Sequence, residues 1–338
     1  MNGDVGVMVL RLGQLAHAVH ERERLAEVLE RERSLERAVD LAPLIRIGHG
    51  SSIYDRQRTM TVSAEDAPSR PLARSRKRRP ARELVVATVF MPLANLVVRA
   101  LLPLRVPPPA AVLANAFAGL LAAVALQRGA FVLAALLLQL KTILDNADGQ
   151  LARASGRVSL LGRYLDTEAD LVVNAVLFAA LGSVTGEPWL ALASFCALTL
   201  VLSVNFNVAE LYREIHGEMT RGPTPSGRSV EKALGVVYRV AFAPQDRLVR
   251  AVSARRLERA LADEPDVERR RIATLAYHDR LTVAVLANLG LSTQLVVLGV
   301  CLAVGFPSAY LWLALGYAAL PPFLQLRRER LARRALAR

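Results

Sequence analysis

Long apolar runs alternate with short polar breaks along this chain, at lengths that suit membrane-crossing helices. A helix rises about 1.5 Å per residue, so about 20 apolar residues cross about 30 Å of hydrocarbon. Six segments approach that length: residues 110–127, 130–147, 163–183, 188–211, 281–304 and 307–325. The second and third carry polar residues at the ends where they meet. A seventh run, 84–104, is interrupted by Pro92, Arg99 and Pro103 and reads as a helix lying along the membrane interface. No stretch carries a β-pattern worth assigning.

The remaining segments are polar. Residues 14–41 predict a charged helix whose apolar stripe (Leu15, Val19, Ala26, Leu29, Val39) is incomplete, and residues 48–82, rich in Ser, Pro and Arg, read as a flexible linker. Within 212–280 the turn "RGPTPSGRS" precedes Leu, Val and Arg at helical spacing, which predicts one or two short surface helices. The expected layout is an N-terminal extension (1–83), an interfacial helix (84–106), a six-helix transmembrane domain (107–326) with the insert 212–280, and a basic tail (327–338).

Composition supports that layout. The 338 residues are 53% hydrophobic and only 5% aromatic, and mean hydropathy is +0.30, more apolar than most soluble domains of this length. The expected fold class is an all-α integral membrane protein, a six-transmembrane-helix bundle with an N-terminal cytoplasmic extension. Cys196 and Cys301 lie inside apolar runs without metal-ligand spacing and are expected to be packing residues. The first residues lack the basic, apolar and small-residue succession of a secretory signal, so the N-terminus is expected to stay in the cytoplasm.

The formal charge of +13 is distributed on one side of the expected bundle. The connections "QRGA", "GSVTGEPW" and "GFPS" contain one basic residue, Arg128, whereas "RSRKRRPAR", the insert and the tail "LRRERLARRALAR" hold most of the rest. Basic loops stay in the cytoplasm, so both termini and the insert are expected there. Contact with anionic membrane lipids follows from the same charge. No aromatic interleaving or fold signature points to nucleic acid.

The chemistry concentrates in "DNADGQLARASGRVSLLGRYLDTEAD", residues 145–170. Helical residues three or four apart share a face, which aligns Asp145, Asp148, Gly149 and Ala152 at the end of the second span. After a turn near Ser155 and Gly156, Gly162, Asp166 and Asp170 align on the next helix. Two antiparallel helices thus bring four carboxylates toward one volume. Ionised carboxylates beside hydrocarbon cost several kcal/mol each unless cations or water offset them, to an order of magnitude. An all-oxygen set suits a hard divalent ion, and Mg²⁺ is commonly shared between carboxylates and substrate phosphates. A phosphate ester or diphosphate is the substrate class this implies. Gly149, Ala152 and Gly162 keep the helix faces low beside the carboxylates, and Arg153 is placed to neutralise a phosphate or a carboxylate. Small residues also permit close helix packing in lipid.

Other polar residues near these ends carry weaker signals. Lys141, one turn before Asp145, is placed to pair with that carboxylate, to reach a phosphate or to snorkel. Asn205, Asn207 and Glu210, and His278, Asp279 and Arg280, either border an acceptor pocket or anchor the interface.

The pattern D-x2-D-G-x2-A-R-x8-G-x3-D-x3-D is filled by Asp145, Asp148, Gly149, Ala152, Arg153, Gly162, Asp166 and Asp170. It resembles the signature of the CDP-alcohol phosphotransferase (CDP-alcohol phosphatidyltransferase) family, with residues 110–325 inside the resemblance. That resemblance implies a six-helix bundle, usually a homodimer, which moves a substituted phosphoryl group from a CDP-linked donor to an alcohol and releases CMP. It further implies that Asp145, Asp148 and Asp166 bind one Mg²⁺ or Mn²⁺ or a pair, and that Asp170 serves as ligand or base. Gly149, Ala152 and Gly162, with Arg153 beside them, would line the nucleotide site. The first span departs from the family's usual Pro-Asn start, reading "PPPAAVLANAFAGL", where Asn115 is the candidate replacement or a packing residue. The donor would be CDP-diacylglycerol or a CDP-alcohol, and the acceptor a small alcohol. The arginines of 212–280 lean toward a phosphorylated polyol, although topology also accounts for them. The rival readings are a membrane prenyltransferase using Asp-bound Mg²⁺ and a diphosphate, an ion-pathway protein, and an inactive relative.

Overall fold

The first apolar run stays helical across Pro92. A π-helical stretch, Val86–Phe90, leads directly into α1 (Met91–Leu101) with Pro92 in its first turn, where a missing amide costs least. The computed structural model describes residues 83–217 and 242–337, all within one compact unit, Ala67–Arg338. The expected charged helix 14–41, the linker 48–82 and the turn "RGPTPSGRS" lie outside the described residues.

Every element among the described residues is helical: α2 (Pro108–Gln127), α3 (Phe131–Ala154), α4 (Leu160–Thr185), α5 (Pro188–Ile215), α6 (Ala243–Ala260), α7 (Val267–Tyr277), α8 (Arg280–Ala287), α9 (Leu291–Ala303), α10 (Pro307–Ala318) and α11 (Leu320–Leu336). Five stretches are long and apolar enough to cross a membrane: α2, α4, α5, Val267–Ala303 and Pro307–Leu336. This is the make-up of an integral membrane protein. The second expected span is absent from those five. It forms a helix, α3, but Lys141, Asp145 and Asp148 enter it before an apolar stretch of full length is complete.

The fifth and sixth expected spans are each interrupted. Between α8 and α9 the chain breaks at Asn288–Gly290. Asn288 accepts the Leu84 amide at 2.8 Å and donates to the Ala284 carbonyl at 2.8 Å. A Cβ at Gly290 would stand 2.9 Å from the Ala287 carbonyl oxygen, so the backbone closes there because the residue is glycine. α10 ends before Ala319, and α11 begins with Pro321 and Pro322 in its first turn. The basic stretch 327–336 continues α11 as helix.

The main core joins α2, α3, α4, α5, α9 and α10, with Leu126, Leu138, Leu177, Leu181, Leu298 and Leu311 fully buried. α2 meets α3 and α4 closely because its inward face is small: Ala111, Ala118, Gly119, Ala122 and Ala123 are buried there. Its outward face exposes Leu113, Phe117, Leu121 and Val124, as a lipid-facing surface should. Ser194 crosses from α5 to donate to the Leu311 carbonyl at 2.9 Å. Cys301 lies in the core as expected, while Cys196 is on the exposed surface of α5.

Two helices of the insert, α6 and α7, pack on the bundle's polar end. α7 lies along α11, where the buried Arg328 guanidinium sits 4.0 Å from the Tyr277 ring centroid and donates to the Tyr277 carbonyl and Gln325. His278 is buried in the same cluster, 3.2 Å from Arg328. Asp279 caps α8 by accepting from the Leu281 and Thr282 amides and pairs with Arg327 at 2.7 Å. These residues hold helices together.

Candidate active site

The interval between Arg153 and Gly162 encodes a helix stop, a reversal and a helix start. At the end of α3 the Arg157 amide donates to Ala152 and the Gly156 amide to Arg153, with Gly156 at φ 67°. That double bond with a left-handed glycine is the Schellman closure. Three residues on, Ser159 caps α4 and its hydroxyl accepts the Gly162 amide at 3.0 Å. The hairpin therefore fixes the register in which the aspartates of α3 face those of α4.

Asp145, Asp148 and Asp166 each offer one oxygen, and these atoms lie within 4.8 Å of one another. Asn115, buried on α2, donates its amide to Asp145 Oδ1 at 3.2 Å. Asp148 is 5% exposed, and its Oδ2 is buried with no hydrogen-bond partner among the described residues. A buried carboxylate oxygen in that state is costly, and a hard divalent cation is what would offset it. The three-carboxylate cluster fits a metal ion on that ground.

Asp170, the fourth aspartate of the pattern, is engaged elsewhere. Its Oδ1 is 2.6 Å from Lys141 Nζ. The lysine thus crosses to α4.

The glycine face is covered by an arginine. A Cβ at Gly149 would lie 3.2 Å from Arg153 Nη1, so the guanidinium rests over the bare backbone beside Asp148. Gly162 and Ala152 are half-buried on the two arms of the hairpin. All eight positions of the pattern are thus on one hairpin.

Residues 106–242 match the family model described as CDP-alcohol phosphatidyltransferase. That segment resembles a CDP-alcohol phosphatidyltransferase domain. The family is one of transferases of phosphate-containing groups. No match was found among curated proteins or among solved structures. The matched segment runs from the start of α2 through α5, so it contains the whole carboxylate hairpin.

Beside the hairpin, the matched segment borders a cavity of about 380 Å³. Asp166, Asp170, Thr167 and Asn174 of α4 line it, with Thr199, Ser203 and Phe206 of α5. The far wall comes from outside the matched segment: Asp246, in the first turn of α6. Asp246 Oδ1 accepts from Ser203 at 3.0 Å and from Asn207 at 2.6 Å, and Asn207 in turn accepts from Arg250 at 3.1 Å. Arg250 pairs with Glu214 at 2.9 Å, completing the tie from α6 to α5. Arg163 stands at the opposite wall, its guanidinium 5.7 Å from the Phe206 centroid.

Sequence reasoning left Asn207 as a pocket border or an interfacial anchor, and the structure puts it one layer behind the cavity wall. Glu210 pairs with Arg213, and His278 and Asp279 serve the packing described above. Asp246, Arg163 and Thr167 were not anticipated. Asp246 had one weak signal, an acidic residue in the first turn of a helix whose other charges are mostly basic.

Proposed function

We propose that this protein transfers a substituted phosphoryl group from a CDP-linked donor, CDP-diacylglycerol or a CDP-alcohol, to the hydroxyl of a small alcohol, with release of CMP. The observation that carries this reading is the convergence of Asp145, Asp148 and Asp166 within the matched domain. These three would hold Mg²⁺ or Mn²⁺, and Asp148 Oδ2 is a buried oxygen among the candidate ligand atoms. Bound by these residues, a divalent ion would supply the positive charge that polarises the diphosphate and stabilises the departing CMP.

The chain's own residues do the rest. Gly149, Ala152 and Gly162 offer low backbone faces for the cytidine nucleotide, and Arg153 moves off Gly149 to meet a phosphate. The acceptor enters the cavity between α4 and α5, where Asp170 takes the hydroxyl proton as general base. A second hydroxyl or an ammonium on the acceptor donates to Asp246, so the class favoured is a small alcohol with a further hydrogen-bond donor. A phosphorylated polyol falls within that class.

The distribution of basic residues supports an active site at the cytoplasmic face of the cell membrane, since the carboxylate hairpin lies on the side of the basic insert and tail. The product would be a phospholipid or a related phosphodiester, and the family resemblance extends the reading to a homodimer. Clustering of the aspartates in one hairpin favours this transfer over a prenyltransferase with two separated acidic loops, and over an ion pathway with acids in several spans.

The test is CMP release by purified protein in nanodiscs. Release is expected only with a CDP-linked donor, a divalent ion and an alcohol together. Absence of metal-dependent release across a broad panel of donors and alcohols removes the reading.

A further inference from the structure

The arginines of α6 fall on two sides of the helix and meet different surroundings. Those turned toward the bundle are paired: Arg250 with Glu214 and Asn207, and Arg256 with Glu329 at 3.4 Å. Those turned away, Arg247, Arg255 and Arg259, are exposed and have no ion pair or hydrogen bond among the described residues. Leu248, 61% exposed, and Val252, 42% exposed, lie between them, at the three- and four-residue spacings that share a helix face. The acid beside that stripe, Glu258, is paired with Arg270 at 3.1 Å.

Two ties fix the depth of α6. Trp189, 81% exposed in the first turn of α5, marks the membrane interface where that helix begins. About 20 residues cross the hydrocarbon, which brings the opposite interface to the level of Asn207. The same count from Pro307, where the last candidate span begins, ends between Gln325 and Glu329. The first turn of α6 is bonded to Ser203 and Asn207 through Asp246. Farther along, Ser253 meets Tyr277, which accepts from Gln325 at 2.8 Å, and Arg256 meets Glu329. Both ties are at the depth of the interface, so α6 lies along it and its outer face is turned to the surrounding lipid headgroups.

We infer that the outer face of α6 is a docking surface for anionic phospholipid, with Arg247, Arg255 and Arg259 on the headgroups and Leu248 and Val252 dipping beneath them. A polyanion in solution would use the arginines and leave Leu248 and Val252 in water, whereas a negatively charged bilayer surface takes both. The inward arginines are already neutralised by Glu214 and Glu329, so the unmatched charge is confined to the face that meets lipid. The same helix supplies the far wall of the cavity through Asp246, so the surface that holds α6 holds that wall as well. No step of this inference depends on the reaction proposed above.

The experiment places an environment-sensitive fluorophore at Leu248→Cys in the full-length protein, with Cys196 and Cys301 replaced by alanine. Nanodiscs of phosphatidylcholine alone are compared with equimolar phosphatidylcholine and phosphatidylglycerol, using acrylamide as a neutral aqueous quencher. Quenching is expected to fall and emission to shift to the blue in the anionic discs, and high salt is expected to reverse both. Each arginine near an anionic surface shifts the docked fraction by about fivefold, so Arg247→Gln/Arg255→Gln/Arg259→Gln is expected to weaken docking on the order of 100-fold and abolish the lipid response. The lipid comparison and a second label at Val252→Cys need no arginine substitution and decide the question if that variant does not fold. Equal quenching in both discs, as for a face reserved for a protein partner or a second copy of the chain, overturns the inference. So does a lipid response that survives loss of the three arginines. Loss of CMP release in every assay, with the lipid response intact, sinks the proposed reaction and leaves the docking surface standing.

Discussion

Asn115 of α2 reaches Asp145 of α3 with its side-chain amide, 3.2 Å from Oδ1, while its own Oδ1 is buried with no hydrogen-bond partner among the described residues. An amide that leaves its acceptor unsatisfied in order to donate to a carboxylate is aimed by the fold. Groups that orient a metal ligand typically account for 10–100-fold in affinity. Asn115→Ala is therefore expected to weaken Mn²⁺ binding about tenfold while the helices still pack, because Ala111, Ala118 and Ala122 already make that face small. Isothermal titration of Mn²⁺ checks this, and unchanged affinity would assign Asn115 to packing alone.

Neutralising a converging carboxylate should have a larger effect than loosening one. Asp145→Asn, Asp148→Asn and Asp166→Asn are each expected to abolish detectable turnover and to weaken Mn²⁺ and CDP binding together. Asp148→Asn is the most informative of the three, since Asp148 is the most buried of the three residues and its Oδ2 has no hydrogen-bond partner among the described residues. Any of these variants that keeps substantial activity loses its assignment as a ligand.

Asp170 is expected to behave differently. If it takes the acceptor proton, Asp170→Asn lowers turnover by roughly 10²–10⁴-fold, the usual range for a general base, and leaves CDP-donor binding nearly unchanged. Asp170 lies four residues, about 6 Å, beyond Asp166 along α4, which places it toward the acceptor and away from the nucleotide. Donor affinity falling in proportion to turnover would make it part of the donor site.

The carboxylate hairpin was legible because its information is local. Spacing of three and four residues sets the two faces, and Gly156 and Ser159 mark the reversal between them. What spacing does not carry is which side chain crosses between helices. Lys141 is one turn from Asp145, and the i,i+4 rule points there, yet it reaches Asp170 because Gly119, on a third helix, opens the path. The breaks in the fifth and sixth apolar runs were hidden for a related reason. Asn288–Gly290 and Ala319 leave the composition apolar, and the break at Asn288 is held by the Leu84 amide from the other end of the described chain. His278 and Asp279, polar beside a span, read as bordering a pocket or anchoring the interface, and the structure spends them on Arg328 and on capping α8.

Nucleotide recognition gives a prediction that separates donor from metal. A methyl at Gly149 would meet only the flexible end of Arg153, so Gly149→Ala should fold. Gly149→Leu covers the backbone face itself. Donor KM is expected to rise by about tenfold or more for the leucine variant, with Mn²⁺ affinity retained; about 1.4 kcal/mol of lost contact suffices for that change. Equal donor KM in wild type and Gly149→Leu would place the nucleotide elsewhere.

Asp246 lies outside the matched segment and inside the cavity, and its substitution should therefore change the choice of acceptor and not the handling of donor. Ser203 and Asn207 both bond to its Oδ1, which fixes the carboxylate plane and presents the group to the cavity it lines. A hydrogen bond to a charged group contributes about 1.5–3 kcal/mol, or roughly 10–100-fold in affinity. Asp246→Asn is nearly isosteric and is expected to raise acceptor KM by about that factor, while donor KM and Mn²⁺ affinity stay within twofold. Asn207→Leu should move acceptor KM in the same direction, because it frees the carboxylate to turn. Alcohols without a second hydroxyl or amine should be insensitive to the substitution, since they have nothing to donate to that wall. If Asp246 serves only to staple α6 onto α5, Asp246→Asn lowers the melting temperature and leaves every acceptor KM where it was.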